Sequence, residues 1–157
     1  MAKLRRRWIV ASAITGAIVV AVGVIATYTT STGRQTRDVA MPPPRATPAQ
    51  VVTTFIDALN AHDCKTAQAV YVASTQAEAR SWCDKVQHLG HVRVRPEVKD
   101  PESTTTTPLA DVGVSFDLNW RPLHSDGSMP EGPTEWGYIL TRASTRAPWR
   151  ISSQGVD

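Results

Sequence analysis

Two cysteines, four histidines and a few acids and tyrosines are the side chains of this 157-residue chain that could carry chemistry. Cys64 and Cys83 are the only cysteines. They could form a disulfide, join His62, His88 or His91 around a metal, or supply a thiolate nucleophile. There is no CxxC, and His88 and His91 fall across a predicted helix end instead of on one helical face, so metal spacing is lacking. One disulfide is the expectation: it would enclose about 20 residues and stabilise the fold by ~3 kcal/mol on a chain-entropy model. The histidines then read as surface residues. General acid–base work needs a titratable group held near the reacting atom with a tuned pKa. Asp57, His62 and Tyr71 are the candidates, but the first two read as solvent-facing and Tyr71 as core. No catalytic set, metal ligand or cofactor motif emerges. Trp82, Trp120, Trp136 and Trp149 could stack on a ligand, although large aromatic rings most often fill the core of a small domain. Ser103 to Thr107 reads as a solvated loop before it reads as a glycosylation tract.

The N-terminus sets the compartment. No charged residue lies between Trp8 and Tyr28. As a helix rising 1.5 Å per residue, this block would span roughly 31 Å, matching a hydrocarbon core of about 30 Å. Trp8 and Tyr28 stand where aromatic rings favour the headgroup level, and Lys3, Arg5, Arg6 and Arg7 predict a cytoplasmic N-terminus. The competing reading is a cleaved signal peptide ending near Ala26, but the block is longer than the usual 7 to 15 apolar residues of such a signal. Either reading exports the rest of the chain to a compartment where cysteines oxidise. The formal charge of +3 belongs to the tip: without those four, 13 basic residues face 14 acids. That balance argues against nucleic acid as a partner.

Sequence pattern supplies the scaffold on which these candidates stand. The reading divides the chain into a basic tip (1–7), a membrane helix (8–28), a Pro-rich stalk (29–46) ending in Met41-Pro42-Pro43-Pro44, and an exported domain (47–157). Thr47-Pro48-Ala49-Gln50 is a helix start with a capping box, followed by an apolar stripe of Val52, Phe55, Ile56 and Leu59. Asp63 predicts the cap of a second helix. Thr75 and Glu78 predict a box for a third, which would carry Trp82, Val86 and Leu89 and stop at Gly90. Alternation then sets in, weakly through Val92, Val94 and Val98, and strongly from Ala110 to Trp120. After a loop over Pro122 to Pro133, further strands carry Trp136, Tyr138 and Leu140, then Trp149 and Ile151. The expected class is α+β, three helices covering a curved antiparallel sheet.

That order of elements resembles the NTF2-like superfamily, also called SnoaL-like or ketosteroid-isomerase-like. The resemblance runs over about Ala49 to Gly155, and its most suggestive pieces are the segments from Ala49 to Asp63 and from Trp149 to Gly155. It implies a cone whose helices and sheet enclose a pocket, with Phe55, Tyr71, Trp82, Val114, Phe116, Trp120 and Trp136 as the residues to line it. The acids, histidines and tyrosines that enzymatic members place in the pocket do not transfer residue by residue. The expected function is therefore a membrane-anchored, extracytoplasmic, non-catalytic binding or assembly module. Its expected partners are the bilayer, an envelope protein or a second copy, and a small apolar ligand. The layout is similar to that of accessory subunits of conjugation and secretion machines. The alternative is a membrane-tethered NTF2-like enzyme, an isomerase, dehydratase or hydrolase working on an apolar substrate.

Overall fold

The computed structural model describes residues 33–124 and 129–156. The basic tip and the apolar block from Trp8 to Tyr28 lie outside them, as do 125–128 and Asp157. Contacts divide the chain into 1–34 and a compact unit, Gln35–Asp157. Among the described residues no helix is long and apolar enough to cross a membrane.

Helix α1, Pro48–Ala61, starts where capping chemistry puts it. The Gln50 N–H donates to the Thr47 hydroxyl, the Gln50 side chain accepts from the Thr47 N–H, and Pro48 occupies the first turn, where its missing N–H costs nothing. Val52, Phe55, Ile56 and Leu59 are all buried. The helix ends at His62, whose backbone is left-handed (φ 54°). Asp63 then caps α2, Cys64–Ala69, accepting from the Thr66 N–H at 3.1 Å. Its second oxygen accepts from the Val39 N–H at 2.9 Å, and the Thr66 hydroxyl donates to the Val39 carbonyl. The Thr36 N–H reaches the Ala61 carbonyl, one of those a helix end leaves without an internal partner. The segment before α1, read from composition as a spacer, is thereby tied to α1 and α2 from Thr36 onward.

A short 3-10 turn, Ala73–Thr75, leads into α3, Gln76–Lys85. Thr75 makes no side-chain cap, so the box predicted with Glu78 does not form. Cys64 and Cys83 form a disulfide with a Cα–Cα distance of 5.6 Å, joining α2 to α3. Helix α3 also ends sooner than its apolar spacing suggests, because Val86–Val94 is strand β1. Val86 and Leu89 share the buried side although they are three residues apart, since a register shift between Val86 and His88 inserts an extra residue. A bulge therefore imitates the helical period. A second irregularity lies between Gly90 and Arg93, where His91 has φ 46°.

The remaining strands are β2 (Val98–Lys99), β3 (Leu109–Trp120), β4 (Gly132–Thr141) and β5 (Arg150–Gly155). The pairings between these strands and β1 are antiparallel, in the order β1-β3-β4-β5 with β2 also on β3. Strand β3 alternates as its sequence does: Ala110, Val112, Val114, Phe116, Leu118 and Trp120 are buried. The start of β5 also meets the end of α2, with Ile151 bonded to the Val70 and Val72 backbones.

The expectation of a cone of three helices covering a curved sheet is corrected accordingly, while the predicted membrane helix, 8–28, lies outside the described residues. The described residues form a mostly antiparallel sheet with few helices, of 14, 6 and 10 residues, and none that spans a membrane. The physical reason is the stretch 86–90, where β-bulge geometry gave strand residues a helical spacing.

Candidate binding cavity

Three tryptophans from three elements converge on one cavity. Trp82 comes from the middle of α3, Trp120 from the last inward position of β3, and Trp136 from β4, where it pairs with Val114. The Trp82 ring lies 5.4 Å from that of Trp136, 5.9 Å from Trp120 and 6.5 Å from Phe116 by centroids, all at the tilted or edge-on angles that aromatic quadrupoles favour. Met129 and Val156 complete an apolar lining, and Glu78, Ser81, Lys85 and Gln154 complete the wall, around a volume of about 370 Å³.

The polar edges of Trp120 and Trp136 are already satisfied. The Trp120 indole N–H donates to the Met129 carbonyl at 3.0 Å, and that of Trp136 to Gln154 Oε1 at 3.3 Å. Gln154 in turn donates to Glu78 across 3.0 Å. With the N–H edges held, what Trp120 and Trp136 offer an incoming molecule is ring surface. Shape and dispersion would thus choose the ligand more than hydrogen bonding would.

The other pocket residues expected from sequence lie elsewhere. Phe55, Tyr71, Val114 and Phe116 are buried in the core. Phe55 packs against Tyr71 at 5.0 Å and against Tyr138 at 5.8 Å. Burial, then the neighbouring Tyr138, then Glu78 push the Tyr71 phenol above its ordinary range. Burial, then Glu78 do the same to Tyr138. Both hydroxyls are buried with no hydrogen-bond partner among the described residues. They stay neutral, as buried groups without a stabilising charge do.

Two polar residues hold the site's supports together, and sequence reading missed both. Asn60 on α1 bonds the Leu89 backbone twice, accepting from its N–H at 2.7 Å and donating to its carbonyl at 3.0 Å, which fixes the β1 bulge. Arg121 donates to the Cys83 carbonyl at 2.7 Å and the Val86 carbonyl at 3.1 Å, the α3–β1 junction, and its Nη2 meets His62 Nδ1 at 3.0 Å. His62, read as a surface residue, is buried (8% exposed) because the left-handed turn after α1 folds it inward. A residue type common at helix ends was the signal for Asn60. Nothing local marked Arg121, whose partners are all distant in sequence. His88 and His91 are exposed, and His91 pairs with Asp117 at 2.6 Å. Among the described residues no group of three or more His, Cys, Asp or Glu is arranged to hold a metal ion.

No family model and no curated protein matches the chain. A solved structure to which it is similar is the solution structure of a SEC-C motif containing protein from Rhodopseudomonas palustris, with 12% sequence identity and a TM-score of 0.46 over 70% of this chain and 78% of that one. At that similarity it says nothing of what this chain binds. The resemblance to the NTF2-like superfamily is corrected on this point: no NTF2-like family model matches the chain. The pieces that carried it, an amphipathic first helix and a tryptophan just before the last strand, are patterns many sheet-and-helix domains share.

Proposed function

We propose that the protein is a membrane-anchored extracytoplasmic binding module that takes a small apolar ligand into the cavity formed by Trp82, Trp120 and Trp136. The observation that carries the reading is the convergence of three indole rings from α3, β3 and β4 on one open volume of about 370 Å³. That is within the ordinary size of small-molecule sites. Two features support the location: the Cys64–Cys83 disulfide suits an oxidising compartment, and the Lys3 to Arg7 cluster before an uncharged block suits a cytoplasmic tip. An envelope protein that delivers or receives the ligand is the partner such a module would need.

The test is titration of the full-length protein, held in nanodiscs of zwitterionic lipid, with 1-naphthol as a flat apolar probe, reading tryptophan emission. Saturable quenching is expected, lost in Ser81→Leu, which narrows the cavity while leaving every tryptophan in place. Quenching that never saturates, or a Ser81→Leu variant that binds as the wild type does, would sink the reading. Protease added outside intact cells should cut the domain; protection there would remove the proposed location.

A further inference from the structure

A second, larger cavity of about 760 Å³ is built quite differently. Three segments remote in sequence line it: the turn before α1, the short strand β2 with the loop after it, and the β4–β5 connection. Each contributes cations, Arg45 from the first, Lys99 from the second, Arg142 and Arg146 from the third, against one acid, Glu97. This excess is local, since beyond the N-terminal tip the chain carries 13 basic and 14 acidic residues. None of the four is held in an ion pair among the described residues. Four cations brought together with a single acid among them repel one another on balance, so such a cluster is stabilised by an anion.

Arg142 is the fixed member. Its guanidinium lies 4.5 Å from the centre of the Trp149 ring, and its Nη1 donates to the Thr145 carbonyl at 3.0 Å. Its Nε, by contrast, is buried with no acceptor among the described residues. A buried donor on a charged group left unbonded is costly, so Arg142 is a guanidinium whose donors are not all satisfied by the fold. Beside these charges the groove has apolar surface, with Trp149 and Leu109 part-buried and Val98 65% exposed.

We infer that this groove binds a phosphodiester anion carried on a partly apolar body. Guanidinium forks suit the several oxygens of a phosphate, and cations converging from three directions suit a tetrahedral anion better than a planar one. The volume leaves room for the rest of the molecule along Trp149 and Val98. Two sources share this chemistry, the headgroup of an anionic phospholipid and a soluble phosphodiester.

Calorimetric titration separates them, using the full-length protein in zwitterionic nanodiscs with empty nanodiscs as the blank. The probes are glycerophosphoglycerol, dihexanoyl phosphatidylglycerol below its micelle concentration, and dihexanoyl phosphatidylcholine as the control without net charge. Saturable binding of phosphatidylglycerol alone identifies a lipid headgroup; binding of both anionic probes identifies the soluble phosphodiester as sufficient. In either case Lys99→Gln/Arg146→Gln should weaken binding at least tenfold, and raising the salt should weaken it in the wild type. Arg45→Gln, in a different segment, gives an independent reading with the same expected direction. Binding of phosphatidylcholine equal to that of phosphatidylglycerol, no saturable binding of either anionic probe, or variants that bind as the wild type would each overturn the inference.

Discussion

At the end of α1, His62 takes a left-handed backbone and turns into the protein, where its Nδ1 faces the Arg121 guanidinium at 3.0 Å. Arginine can only donate, so Nδ1 must accept and the imidazole must be neutral. Burial first, then Arg121, then His88 hold its pKa below the usual 6.5. The unfolded chain therefore binds a proton at His62 that the folded chain refuses. Stability from this group is fully present above about pH 6.5 and is lost as pH falls toward the lower folded value. Urea unfolding measured from pH 7.5 to 5 should show stability declining with acid. His62→Asn, which tolerates the left-handed backbone and does not titrate, should show a shallower decline; equal slopes would remove His62 as the cause. Asp63 titrates in a lower range. Burial disfavours its charge, but N–H donors from Val39 and Thr66 outweigh that, so its folded pKa lies below 3.8 and its contribution is lost only in stronger acid.

Among the elements, α2 is the one least able to form alone, six residues with only Thr66 and Ala67 fully buried. It is held from both ends, by the Asp63 cap and by the disulfide to α3. The sequence separation of 19 makes the loop-closure contribution of the bridge ~3 kcal/mol. Cys64→Ala/Cys83→Ala should lower the unfolding free energy by about that much, read as a shifted urea midpoint, and reductant should reproduce the shift in the wild type but not in the variant. The loss should also loosen Trp82, one residue before Cys83, and so weaken 1-naphthol binding.

For the whole unit, the segment from Gln35 to Ala46 belongs to the fold and is not a tether to it. It contributes the Thr36 and Val39 backbone bonds and buried Ala46. A fragment of residues 47–157 leaves the Asp63 oxygen and the Ala61 carbonyl without these donors, at a cost of about 1 kcal/mol for each bond. It should unfold at lower urea than a 33–157 fragment by about 2–4 kcal/mol, the range expected for two or three such bonds together with the lost burial. Amide exchange should accelerate in the longer fragment at Val39 when Thr66→Val removes the hydroxyl that holds the Val39 carbonyl. Equal stability of the two fragments would mean the segment rests on the unit without supporting it.

Elements with local signals were legible in the amino-acid order. The Thr47–Gln50 box, the Asp63 cap and the strict alternation of β3 each arise from neighbours a few residues apart, and each is where the pattern puts it. Everything that depends on distant partners was settled by the folded chain. Whether Val86 and Leu89 lie on a helix or on a bulged strand depends on pairing with β3, more than 25 residues away. Of the seven residues read as pocket lining, Trp82, Trp120 and Trp136 border the cavity while Phe55, Tyr71, Val114 and Phe116 fill the core. All seven are apolar or aromatic, so composition could not divide them; the register of β3 on β4 and the placement of α3 did. The cationic groove was illegible for the same reason. Arg45, Lys99, Arg142 and Arg146 are unremarkable one at a time, and only the meeting of three distant segments makes them a site.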